Sequence, residues 1–177
     1  METFENLKNR LALTEQDRLM LETVPMLLMP RWFFVAIKKQ IESLAGKEIA
    51  RKVYYEAGYE GAAKWAQTQM KEAGLSGRAV MEQYLASASV RGWGRFEILD
   101  FDQERGYGRF RIHHSAVAEE TGTAKEVVCD HLPGSLAGAF QTILDHARVR
   151  RQVKGRELKC ISNEDRFCEF VVESKEE

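Results

Sequence analysis

Apolar positions recur at helical spacing through the first half of the chain and alternate through much of the second, with the change at Gly92-Trp93-Gly94. Phe33, Ile37, Ile41 and Leu44 fall on one helical face, with Pro30 suited to the first helical position and Gly46 to the stop. Residues 47–72 predict a longer helix that carries Ile49, Val53 and Ala57, then a run of small residues at Gly58, Gly61, Ala62, Ala63 and Ala66. Glycine inside a helix costs about 1 kcal/mol relative to alanine, so this run implies that another backbone comes close. A third helix is expected over residues 77–88, capped by Ser76. Residues 19–28 can add a strand, which Pro25 restricts to an edge.

Past Gly94 the period becomes two. Phe96 and Ile98 alternate with Arg95 and Glu97, and beyond a turn at residues 103–106 Phe110 and Ile112 alternate with Arg109 and Arg111, which reads as a half-buried hairpin. A short apolar strand is expected at residues 126–129. Pro133 and Gly134 then lead into a helix of Leu136, Ala137, Phe140, Ile143 and Leu144, and residues 153–172 read as a second hairpin turning at 162–166. Helices followed by strands predict an α+β fold. A chain of 177 residues suits one domain, residues 1–177 with a core over about 19–172.

The composition, 44% hydrophobic and 30% charged, is that of a globular protein, and a net charge of -1 gives no overall field for nucleic acid or anionic lipid. The basic run Arg148, Arg150, Arg151, Lys154 and Arg156 reads as a solvated loop near a helix end, so no nucleic-acid partner is expected. The opening METFENLKNR does not fit a secretory signal. The most apolar stretch, residues 24–37, contains Pro25, Pro30 and Arg31 and falls short of the roughly 20 residues that span a bilayer. A soluble, cytoplasmic protein is the expectation.

Three cysteines, Cys129, Cys160 and Cys168, suit thiols or metal ligands better than a disulfide framework. A turn centred on Glu164 sets Cys160 opposite Cys168, on one face with Leu158, Phe170 and Val172. Cys129 can supply a third sulfur, and a tetrahedral zinc site then needs a fourth ligand. His131, two residues after Cys129, shares its face on a strand. Glu157, three residues before Cys160, would oppose it unless a bulge or strong twist intervenes. On spacing alone, buried free thiols are the simpler reading.

The run Cys129-Asp-His-Leu-Pro-Gly-Ser-Leu-Ala-Gly, followed by Glu157-Leu-Lys-Cys160 and Asp165-Arg-Phe-Cys168-Glu-Phe, resembles the 4-vinyl reductase domain family, also described as a hydrocarbon-binding domain. Gly92-Trp93-Gly94 and Ser115-Ala116-Val117-Ala118-Glu119 resemble family positions as well, so the similarity covers residues 19–172. The resemblance implies a fold shared with TRAPP vesicle-tethering subunits, with helices packed on one face of a twisted antiparallel sheet. In the phenol-sensing activators of this family the matching residues bind zinc, which implies Cys129, Glu157, Cys160 and Cys168 as ligands here, with Glu157 in place of His131. A zinc with four protein ligands has no open position and is structural. Two departures stand out. Glu164 replaces the family's glycine in the last turn, with Asn163 available for a left-handed position, and the activators' ATPase and DNA-binding modules are not in this chain.

The resemblance also suggests a small apolar pocket between sheet and helices, for which Trp93, Phe96, Phe110 and Tyr84 are the candidates, although aromatic residues at these positions equally suit a core. By alternation with Phe110 and Ile112, His114 rather than His113 faces inward and can bond a ligand hydroxyl or a buried carbonyl. No phosphate loop or nucleophile elbow is present in the sequence, so a binding role is favoured over an enzyme. The expected function is therefore a zinc-stabilised domain that binds a small apolar or aromatic molecule as a stand-alone sensor or carrier, as a homodimer, with output through a partner protein. The alternatives are a tetrapyrrole vinyl reductase, or an accessory to one, and a dimeric interaction scaffold without ligand.

Overall fold

A computed structural model describes residues 8–21 and 24–174; residues 1–7, most of the stretch read for an export signal, lie outside it. Short strands β1 (Leu11–Leu13), β2 (Leu19–Leu21) and β3 (Val24–Pro25) form a small antiparallel sheet in that order. The strand expected over residues 19–28 is thus divided between β2 and β3. Helices α1 (Arg31–Ala45), α2 (Lys47–Ala73) and α3 (Arg78–Val90) follow. Pro30 is the N-cap of α1, one position earlier than expected, and Gly46 ends the helix at φ 87°. The N-cap of α3 is Gly77 and not Ser76, with no side-chain bond.

The second half holds β4 (Arg95–Asp102), β5 (Tyr107–His113), α4 (Ala116–Thr121), α5 (His131–His146), β6 (Val153–Lys159), a 3-10 turn (Ile161–Asn163) and β7 (Cys168–Ser174). The four long strands form one antiparallel sheet in the order β4-β5-β7-β6. Residues 126–129 form no strand. Their neighbours Ala124 and Lys125 donate to the Ser162 carbonyl, and the Val128 carbonyl accepts from the Lys38 ammonium, so the bonds that hold this stretch run to α1 and the β6–β7 turn and not along a ladder. Helix α5 begins at His131, before Pro133, because a proline in the first turn has no intrahelical N–H bond to lose.

The core lies between this sheet and α5. Phe110, Ile112, Phe170 and Val172 on the sheet meet Leu136, Phe140, Ile143 and Leu144, all essentially inaccessible to solvent. Every residue of α5 from His131 to Leu144 is buried, because the sheet covers one side and α2 the other. The α2–α5 approach is backbone to backbone. A Cβ added to Gly134 would lie 2.0 Å from the Tyr55 carbonyl oxygen, one at Gly138 2.1 Å from that of Tyr59, and one at Gly58 2.2 Å from that of His131. The small-residue run of α2 therefore has the close partner it implied, and Ala62 and Ala66 continue the same buried face. Among the described residues, no helix is long and apolar enough to cross a membrane.

Candidate functional site

Two features dominate, a cysteine cluster at one end of the sheet and a cavity between the helices and β4. The cluster depends on an irregularity. Pairing of β6 with β7 shifts register between Glu157 and Lys159, so Leu158 bulges outward, 37% exposed rather than on the cysteine face. That extra residue brings Glu157 and Cys160, three apart, onto the same side. Beyond it the 3-10 turn folds back through Glu164, whose φ of 65° takes the left-handed position; Asn163 does not. Asp165 locks the turn by accepting from the Cys160 N–H at 3.0 Å.

The result is a compact donor set. The three Sγ atoms are separated by 3.8, 3.9 and 4.0 Å. With a carboxylate oxygen of Glu157 they make four ligand atoms that all lie within 4.8 Å of one another. Zinc–sulfur bonds of about 2.3 Å at tetrahedral angles require sulfur separations of roughly 3.8 Å, so the spacing fits that ion. Glu157 Oε2 accepts from the Cys129 N–H at 2.9 Å, whereas its buried Oε1 has no hydrogen-bond partner among the described residues. An orphaned carboxylate oxygen beside three thiols is what a ligand position presents. Second contacts orient the sulfurs: the Ile161 N–H donates to Cys168 Sγ at 3.4 Å, and the Ser115 hydroxyl lies 3.3 Å from Cys129 Sγ.

Crowding also decides where charge resides. Hydrogen bonds from Cys129 and Cys168 hold the Cys160 thiol down at about 2, while the same bond to Cys160 and burial push Cys129 far up. Burial, followed by the neighbouring charge on Cys160, pushes the Glu157 carboxyl up to about 9. A cation held by this set would favour the deprotonated forms of all four groups, so its binding would release protons. The Cys129 segment is fixed from outside by buried Lys38, whose ammonium bonds the Val128 carbonyl at 2.9 Å and pairs with Asp130 at 2.6 Å.

The cavity has a volume of about 490 Å³, within the range of small-molecule sites. Its walls include Trp65, Tyr84, Trp93, Phe96, Leu132 and Leu136, and α2 leaves room beside its Lys64, Trp65 and Thr68 by presenting the small residues Ala57, Gly58, Gly61 and Ala62. Of the residues expected to line a pocket, Tyr84, Trp93 and Phe96 do so. Phe110 does not: it is fully buried under α5, and it and Phe140 both close over Gly108. His114 does not either. Its φ of 57° breaks the alternation after β5 and swings the ring into solvent, where it meets Glu119 at 3.1 Å.

His131, the other ligand considered beside Cys129, lies in the cavity wall instead. It opens α5, so the two-residue spacing of a strand does not apply. Its ring sits 4.8 Å from Trp93 and 5.1 Å from Phe34, and burial, reinforced by the charge of Lys38, pushes its pKa down to about 3. No pattern in the sequence marked it for the cavity. The small residues of α2 were a usable signal for the space itself.

Comparison with known proteins places this geometry. A family model described as a domain of unknown function (DUF5943) matches residues 13–99, the part that precedes every cluster ligand. No protein of curated function matches the sequence. Among solved structures, the phenol-responsive sensory domain of the transcription activator PoxR, crystallised with phenol, aligns over 97% of this chain and 88% of its own with a TM-score of 0.80 at 21% identity. A trafficking protein particle complex subunit 3 from Naegleria fowleri, covalently bound to palmitic acid, aligns over 82% of this chain and 95% of its own (TM-score 0.57, 13% identity). A vinyl-4-reductase family protein from Methanocaldococcus jannaschii aligns over 85% of both chains (TM-score 0.54, 14% identity). These likenesses show the α+β fold.

Proposed function

We propose that this chain is a ligand-binding domain that encloses one small apolar or aromatic molecule and is stabilised by a structural zinc, acting as a stand-alone sensor or as a carrier for a partner protein. The cavity carries the reading: about 490 Å³ of space walled mainly by aromatic and aliphatic side chains, with polar groups from Lys64, Arg91, His131 and Ser135, is the usual form of a small-molecule site. The phenol held by the PoxR sensory domain, which shares this fold, supports it. Cys129, Glu157, Cys160 and Cys168 would hold the zinc, which would tie the segment before α5 to the β6–β7 turn and, with four protein ligands, leave no position for a substrate. Three free cysteines suit a reducing compartment, the cytoplasm.

Exposed Leu27, Leu28, Trp32, Phe33 and Leu44 give a second reading its support. Single exposed apolar residues are ordinary, but this concentration before and along α1 is that of a surface covered in a homodimer. Native mass spectrometry of the gently purified protein tests both readings. A dimer with one zinc per chain and an added organic mass is expected. A metal-free chain without adduct would overturn the zinc-stabilised binding domain, and a dimer of that kind would leave the scaffold.

A further inference from the structure

A second hollow, of about 350 Å³, lies on the outer side of α3 and is lined by Arg78, Glu82, Ala86 and Ser89 of that helix and by Arg95 and Ile98 of β4. The cavity takes Tyr84, Ala88 and Arg91 from the same helix, on another face. Among the described residues, Phe96 alone lines both spaces. Its backbone is fixed on each side: it pairs with Ile112 in the β4–β5 ladder, and its N–H donates to the Ser89 hydroxyl at 3.3 Å. The ring itself is only half-buried. Phe96 is thus the one described side chain that faces both the cavity and the groove, packed against the core from a strand held on both sides, and a change of its rotamer alters both spaces at once.

We infer that Phe96 is the partition that sets the length of the molecule this domain accepts, and that turning its ring aside joins the cavity to the α3–β4 groove. The inference rests on the cavity reading and extends it to a ligand class: apolar molecules elongated enough to meet Phe96, with a polar end that the groove can accept. Most of the cavity wall is aromatic or aliphatic, with Lys64, Arg91, His131 and Ser135 among its polar members, while the groove offers the Arg78–Glu82 pair, Ser89 and Arg95, so a molecule crossing the partition would keep its apolar body inside and place a polar end at the rim.

The test is a length series of straight-chain alcohols, from hexanol to tetradecanol, displacing the neutral fluorescent reporter 1-aminoanthracene from the full chain. Affinity of the unmodified protein should rise about fourfold per added methylene and then level off at a limiting length. Phe96→Ala should move that limit to longer alcohols, and Phe96→Leu, which retains most of the volume and guards against a folding defect, should move it part of the way. Ala86→Trp fills the groove from α3 without entering the cavity. It should restore the original limit in the Phe96→Ala background and leave it unchanged alone. Reporter binding with a limit unmoved by Phe96→Ala or Phe96→Leu would overturn the partition and leave the cavity reading intact. A reporter and alcohols that fail to bind at all would overturn the cavity reading, and the partition with it.

Discussion

Glu164 occupies a left-handed position, φ 65° and ψ 14°, that a residue with a Cβ adopts only at a cost. Glu164→Gly should therefore stabilise the domain by about 0.5–1 kcal/mol in urea denaturation, part of the relief being offset by glycine's freer unfolded chain. His131 gives a pH signature. Its pKa is held at about 3 in the fold against 6.5 when unperturbed, so between those values the unfolded chain binds a proton that the folded one does not. The contribution of His131 to stability then falls as pH drops below about 6.5, approaching 1.4 kcal/mol per unit, and His131→Phe should remove that component from the measured profile. Individual positions were read unevenly from the sequence. Cys160 and Cys168 followed from hairpin register, since a turn of known centre fixes which residues face each other. Glu157 required a bulge, and the one at Leu158 is there. His114 and Phe110 were misplaced for different reasons. Alternation cannot register a positive φ after the strand ends, nor how far a helix covers a given strand position.

Elements were legible where one period ran long enough. The four long helices and both hairpins of the main sheet follow from the pattern of apolar residues, whereas residues 126–129 look like a strand locally and are held as a loop by distant partners, Ser162 and Lys38. The contact between α2 and α5 was visible as composition on one side only, in the small residues of α2; its counterpart, Gly134 and Gly138, lay in a run read for another purpose. Because a Cβ at Gly138 would come 2.1 Å from the Tyr59 carbonyl oxygen, Gly138→Ala has no flexible side chain to displace. It should force the helices apart at a cost of about 2–3 kcal/mol, read as a lower denaturation midpoint. Gly61→Ala, with nothing within 4 Å of the added carbon, should change stability little or raise it, which separates the effect of the crossing from that of helix propensity.

The protein as a unit joins a cavity on one side of α5 to a cysteine cluster near that helix's N-terminus. With zinc in the proposed site, a chelator should lower the melting temperature by about 10 °C and added zinc should restore it, since in the chain-entropy picture a link spanning residues 129–168 contributes roughly 4 kcal/mol. Cys160→Ser should make the domain indifferent to both treatments. Zinc held by the cluster would also close that span into a ring, because Cys129 precedes α5 while Glu157, Cys160 and Cys168 follow it. The exposed, arginine-rich connection between α5 and β6 is part of the ring's circumference. A trypsin cut there would open the covalent chain without releasing either piece: the two fragments would stay clasped through the metal, migrate together under native conditions, and part only when the ion is withdrawn and the fold undone.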